Sequence, residues 1–308
     1  MRPKLPTRVT IREVGPRDGL QAERPLSVED RARLVDALSA TGVPKIEAVS
    51  FVSAKAVPAM ANAGDVWARV RKADGVQYSA LVPNRRGAEA AAEAGGFASL
   101  QAFLAASDGY NRHNVGKSVE ESVTDVREVV DVAHAAGVPV ECSISSSFGD
   151  AYEGNVAPAR VLEVARWLLD AGVDALSIAD TTGMATPTRV WDVVGVLRER
   201  LPDTPISLHF HDTRGTAMAN VLAGLELGVN EFDSSIGGLG GSPFAPPGAN
   251  GNVATEDLVH MLTDMGIETG VDLDRVLDAA GLVEELVGHP LSSQVSRSGP
   301  RWRVGAGG

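Results

Sequence analysis

The sequence predicts an α/β fold, a closed (β/α)8 barrel, and two observations carry that prediction. Short runs rich in β-branched residues alternate, eight times over, with Ala/Leu/Glu/Arg-rich amphipathic stretches. No linker, low-complexity block or charge run divides the 308 residues. Strand–helix alternation gives a parallel sheet, because parallel strands need a crossover between them. Eight units in about 250 residues suit a closed barrel better than the alternative, an open doubly wound sheet.

The strands read, in order, as "VTIREV" (9–14), "KIEAVSF" (45–51), "QYSALV" (77–82), "SLQAFLAA" (99–106), "PVECSIS" (139–145), "ALSIAD" (175–180), "PISLHFH" (205–211) and "EFDSSIG" (231–237). Helix signals fall between them. Ser27 with Asp30 resembles a capping box before "RARLVDALSATG", with Gly42 as its C-cap. Ser118 with Glu121 caps "ESVTDVREVVDVAHAAG" in the same way, and Thr186-Pro187 places Pro at a first helical position. The chain is expected to form one domain, with a barrel core over 9–265 and a helical extension over 266–308. "DLDRVLDAAGLVEELVG" in that extension reads as one or two helices on the barrel, placed to assist dimerisation.

A net charge of −12 argues against a nucleic-acid partner, and means that an anionic ligand needs local basic groups. No apolar run approaches the roughly 18 residues of a membrane span. The start, "MRPKLPTRVT", lacks the apolar core of a signal peptide, so the chain is expected to be cytoplasmic. The single cysteine, Cys142, excludes an internal disulfide and a multi-cysteine zinc site. It alternates with Val140 and Ile144, which makes it a small core residue rather than a nucleophile.

A barrel carries its active site where the strands end. Arg17 and Asp18 follow the first strand in "GPRDGLQ", between Gly15 and Gly19, whose missing side chains permit unusual angles and close approach. Glu47 sits among apolar neighbours in the second strand and needs a partner, such as Arg17 or a substrate hydroxyl. The sixth strand ends at Asp180-Thr181. In "HFH", His209 and His211 project to one face while Phe210 faces the helices. Two imidazoles there can bind one metal, with Asp18 or Asp180 completing the site. Two histidines, a carboxylate and an amide oxygen favour six-coordinate Mg²⁺ or Mn²⁺ over closed tetrahedral zinc. Asp212 is out of register with the histidines and is not counted as a ligand.

The ordered set "VGPRDGLQAE", "IEAVSFVS", "AYEG", "IADTTG", "HFHDTRG", "GGLGG" and "GNVATEDLVHML" resembles the 3-hydroxy-3-methylglutaryl-CoA lyase family over nearly the whole chain. The resemblance implies a TIM barrel and a divalent-metal-dependent lyase that splits 3-hydroxy-3-methylglutaryl-CoA into acetyl-CoA and acetoacetate. It implies Asp18, His209, His211 and Asn252 as metal ligands and Arg17 as the group that stabilises the enolate. Glu47, Asp180 and Glu256 match active-site carboxylates, and Thr181 adjoins them as a substrate contact. A homodimer is the oligomer it implies. CoA carries phosphates, for which Arg85 and Arg86 after the third strand, and Arg112 and Lys117 after the fourth, are candidate contacts. A related 3-hydroxyacyl-CoA such as citramalyl-CoA is the alternative substrate, and a non-catalytic acyl-CoA-binding relative is the alternative of another class.

The departure lies in "GGLGGSPFAPPGANGN" (237–252), which reads as a glycine-hinged lid over the barrel mouth. The family carries a cysteine after "GGLGG", thought to protonate the enolate; this chain carries Ser242, a far weaker acid than a thiol. The loop is about one residue longer than in the family, which makes Asn252 rather than Asn250 the expected ligand.

Overall fold

A computed structural model describes residues 4–241 and 250–303. Eight parallel strands close into a barrel in sequence order: β1 (Thr10–Glu13), β2 (Lys45–Ser50), β3 (Gln77–Leu81), β4 (Ser99–Ala105), β5 (Val140–Ser145), β6 (Ala175–Asp180), β7 (Ile206–Phe210) and β8 (Glu231–Ser234). Closure is made by β1 on β8, with Arg12 beside Asp233 and Glu13 beside Ser234. Around it lie α1 (Val28–Ser39), α2 (Ala63–Arg69), α3 (Arg85–Ala94), α4 (Asp108–Val115), α5 (Val119–Ala135), α6 (Pro158–Asp170), α7 (Pro187–Arg200) and α8 (Ala217–Glu226). Among the described residues, three α-helices follow β8: α9 (Thr255–Asp264), α10 (Leu273–Val287) and α11 (Gln294–Ser298).

Strand alternation separates two faces. Ile11, Ile46, Leu100, Ile144, Leu176, Leu208 and Phe232 are fully buried against the helices. Each such side chain contributes about 1.5–3 kcal/mol by leaving water. Cys142 lies on that same outer face, completely buried, and burial raises its thiol far above the ordinary range. The inner face is polar instead of branched and apolar: Arg12, Glu47, Gln101, Ser177, Ser207 and His209 are all buried there.

Several boundaries differ from the pattern-based reading. β7 stops at Phe210, and His211 makes an isolated antiparallel bridge to Asn252. β8 stops at Ser234, because Gly237 takes a positive φ of 64° and turns the chain away. Gly42 is not the cap of α1. That helix ends on Ala40, and Gly42 lies beyond it at φ +85°, where a Cβ would stand 2.6 Å from the Gly270 carbonyl oxygen. Ser27 accepts from the Asp30 amide, but Asp30 returns its carboxylate to the Ser27 hydroxyl and not to the backbone. "SDGYNRHN" forms the additional helix α4, capped by Ser107.

The Ser118–Glu121 capping box is complete in both directions. Ser118→Ala removes the acceptor for the Glu121 amide and should cost about 1 kcal/mol, read as a lowered Tm. An unchanged Tm would mean that α5 draws nothing from its cap.

Candidate active site

The C-terminal ends of the strands open on a cavity of about 190 Å³ whose wall includes Arg17, Asp18, Glu47, Thr181, His209 and His211. "GPRDG" reaches it as a single π-helical turn, Gly15–Gly19. The Val14 carbonyl accepts from the amides of Arg17, Asp18 and Gly19. The glycines serve close approach. A Cβ on Gly15 would lie 2.6 Å from Glu13 Oε1, and one on Gly19 2.7 Å from Ser235 Oγ. The tight turn brings two successive side chains to the cavity; π turns of this kind recur at functional sites.

Arg17 donates from Nη1 to Asp18 Oδ1 at 2.6 Å and from Nε to Glu47 Oε2 at 2.8 Å. Burial alone would raise the Asp18 carboxyl, but Arg17 and the two histidines outweigh it and hold it well below the carboxylate range. Burial does raise Glu47, against the pull of Arg17. Glu47 Oε1 is buried and has no hydrogen-bond partner among the described residues.

His209 and His211 stand side by side, with ring centroids 5.0 Å apart. Their Nε2 atoms lie 4.0 and 3.7 Å from Asp18 Oδ2, too far for hydrogen bonds. Two ligands about 2.1 Å from a shared divalent ion stand about 3–4 Å apart. Both ring nitrogens of His211 are buried without a partner among the described residues, which is costly unless a cation takes one of them. Among the described residues, Asp18, His209 and His211 offer ligand atoms all within 4.8 Å of one another. Asn252 joins them: its Nδ2 donates to Asp18 Oδ2 at 2.7 Å and to the Leu239 carbonyl at 2.9 Å. A cation would take the amide oxygen, which the side chain presents after a half-turn of its end group. These donors fit one divalent metal.

Of the other expected site residues, Thr181 lines the cavity, and the rest of those described stand apart from its wall. Asp180 is buried with its carboxylate on the amides of Met184 and Ala185, capping the turn into α7. Strand alternation gives the cavity its neighbours Ala179 and Thr181 instead. Thr181 Oγ1 accepts from the Ser146 amide. Glu256 lies behind the β8 turn, accepting from the Gly237 amide and the Ser296 hydroxyl. Arg85 is exposed on α3 and paired with Glu89 at 2.9 Å. Lys117 pairs with Asp125. Arg86 lines a separate cavity of about 460 Å³ with Asn62 and Asn84. Arg112 is exposed on α4, the helix whose Asn114 lines the active cavity. Asp212 accepts from the Ala217 amide and the Asn250 side chain, apart from the histidines as expected. Ser242 and the middle of its loop lie outside the described residues.

Two buried carboxylates frame the site from behind. Glu13 accepts from the amides of Gly15 and Ile236 and from the Thr255 hydroxyl, tying the Arg17–Asp18 turn to the β8 turn. Burial pushes Glu13 up to about 7 and Glu256 up to about 8. Folding therefore favours the protonated acids. Glu256 contributes stability that is complete below its ordinary value of 4.5 and lost as pH rises through about 8. Between about pH 5 and pH 8 the Tm should fall more steeply for the natural protein than for Glu256→Gln. Parallel curves would show that Glu256 titrates normally in the fold.

A family model described as HMGL-like matches residues 8–283. The hydroxymethylglutaryl-CoA lyase of Bacillus subtilis is 45% identical over 94% of this chain and 96% of its own. The crystal structure of hydroxymethylglutaryl-CoA lyase from Pseudomonas aeruginosa superposes with a TM-score of 0.92 at 41% identity, covering 96% of this chain and 98% of that one. An HMG-CoA lyase from Acinetobacter baumannii, in complex with coenzyme A and 3-methylmalate, superposes with a TM-score of 0.91 at 35% identity, covering 96% of each chain. The chain therefore belongs to the HMGL-like family.

Proposed function

We propose that the protein is a carbon–carbon lyase that cleaves 3-hydroxy-3-methylglutaryl-CoA to acetyl-CoA and acetoacetate by a retro-Claisen reaction. The observation that carries this is the convergence of Asp18, His209 and His211 beside Arg17 at the mouth of the barrel. Family membership and the lyase names of its relatives support it.

Asp18, His209, His211 and Asn252 would hold one Mg²⁺ or Mn²⁺. Such an ion would act as a Lewis acid toward the substrate's oxygens, lowering the pKa of the tertiary hydroxyl and helping to orient it. Of the three carboxylates that the described residues bring to the cavity wall, Glu47 is the best base, since Asp233 is held by Arg12 and His209. The Glu47 carboxyl is raised and Oε1 is free, whereas Asp18 is strongly acidic and already engaged. Glu47 takes the tertiary hydroxyl proton; the C2–C3 bond breaks, its electrons pass to the thioester, and the ketone of acetoacetate forms. Arg17, permanently charged, stabilises the enolate oxygen. The enolate then needs a proton at carbon. A serine hydroxyl can relay one through water but cannot supply it as a thiol does. On this account Ser242 slows the final step.

Steady-state assay of purified protein with Mg²⁺ or Mn²⁺ against an acyl-CoA panel tests the proposal. 3-Hydroxy-3-methylglutaryl-CoA should be cleaved, with loss of activity in EDTA and recovery on Mn²⁺. Preferential cleavage of citramalyl-CoA or a longer branched analogue would move the substrate but keep the chemistry. Cleavage of no acyl-CoA would overturn the proposal. His211→Ala should abolish metal-dependent turnover with the Tm retained; full turnover would remove His211 from the metal site. Ser242→Cys should raise kcat on the true substrate, and an unchanged kcat would mean that protonation is not limited by the missing thiol.

A further inference from the structure

We infer that Arg12 and Asp233 are positioning residues that set the ring orientation and tautomer of His209, so that Nε2 is the nitrogen presented to a divalent cation. The inference rests on the metal-site reading above. The two residues that do the positioning lie outside the four expected ligands.

Asp233 Oδ2 lies 3.0 Å from His209 Nδ1, and its other oxygen accepts from Arg12 Nε at 2.8 Å. Arg12 is itself held: Nη2 donates to Glu141 Oε1 at 2.7 Å and reaches Ser207 Oγ at 3.3 Å. Ser207 also donates to Glu141, at 3.0 Å. All five side chains are buried inside the barrel. The strands impose this meeting, because β1 and β8 place Arg12 directly beside Asp233.

An ionised carboxylate only accepts, so the hydrogen of a neutral His209 ring must sit on Nδ1. The lone pair is then on Nε2, the atom facing Asp18. Among the described residues, His211 has no such orienting partner on either nitrogen. Of the two imidazoles, only His209 is pre-set for a cation by its neighbours. Outer partners of this kind typically change metal affinity by about 10–100-fold when removed.

Asp233→Asn discriminates this role from packing, since the two side chains have nearly the same shape. Arg12 Nε is a donor and claims the amide oxygen. The amide NH₂ is then left facing His209 Nδ1, which favours the hydrogen on Nε2 and blocks the cation. Mn²⁺ titration of the whole protein, read by electron paramagnetic resonance, should show a Kd about 10–100-fold weaker for Asp233→Asn than for the natural chain. Far-ultraviolet circular dichroism and Tm check that the fold is retained. Adding Arg12→Met to Asp233→Asn frees the amide to turn its oxygen to His209, and should recover part of the affinity. Unchanged Mn²⁺ affinity in a folded Asp233→Asn protein would overturn the inference. Absence of Mn²⁺ binding by the natural protein would instead overturn the metal-site reading. A readout needing no variant is the ¹⁵N spectrum of histidine-labelled, metal-free protein at a pH where His209 is neutral. It should show hydrogen on Nδ1 of His209; hydrogen on Nε2 would overturn the inference even if the Asp233 variants do not fold.

Discussion

The carboxylate of Asp18 is the node on which the barrel mouth is built. One oxygen takes Arg17 at 2.6 Å, and the other takes Asn252 at 2.7 Å and faces both histidines. Through these contacts one side chain joins the β1 turn, the end of β7 and the returning limb of the loop after β8, and Arg17 extends the link to β2. Placing a charge in so buried a position is expensive unless it is paired, and each partner here offsets that cost. Arg17 serves twice, since its second partner is Glu47. The arrangement keeps Asp18 ionised while leaving Glu47 with a free oxygen, so two nearby carboxylates acquire opposite characters.

Geometry behind the node supplies the precision. The π turn that carries Arg17 and Asp18 is packed so closely on Glu13, Ser235 and Leu239 that a side chain at Gly15 or Gly19 would collide. Glu13 accepts from both this turn and the β8 turn. The tail of the chain reinforces the second turn: the Ser292 amide and hydroxyl both donate to the Gly237 carbonyl, and Leu291 packs where a Gly237 side chain would stand. The residues after β8 are thus part of the support of the site. Gly240 and Gly251 cross so tightly that a Cβ on Gly251 would strike the Gly240 carbonyl.

Much of this is legible in the sequence because two periodicities are strong. Strand–helix alternation gave all eight strands, and the two-residue spacing of "HFH" put both histidines on one face. Arg17 and Asp18 could be placed because glycines flank them at a strand's end. Where other expected residues stand apart from the cavity, the reasons are physical. Asp180 closes its own turn, since a carboxylate one residue out of the inward register meets the backbone amides of the next helix before it meets substrate. Glu256 was matched by motif, but motif order carries no depth, and its carboxylate is spent on Gly237. Arg85 follows a strand as a phosphate contact should, yet its helix turns it to solvent and Glu89. Arg12, Glu141 and Asp233 escaped notice because their meaning depends on register across three different strands. Their signal was nonetheless present: charges inside "TIRE", "VECS" and "EFDSS" had to find partners within the barrel.

The central claim is that the Asp18 node is a divalent-metal centre, and its most direct test is crystallographic. Crystals soaked in Mn²⁺ and measured at wavelengths where manganese scatters anomalously should show one strong peak. It should be bounded by Asp18, His209 Nε2, His211 and the amide oxygen of Asn252, with that amide turned from its metal-free orientation. A fully loaded crystal with no peak there, or with manganese held only elsewhere, would contradict the account.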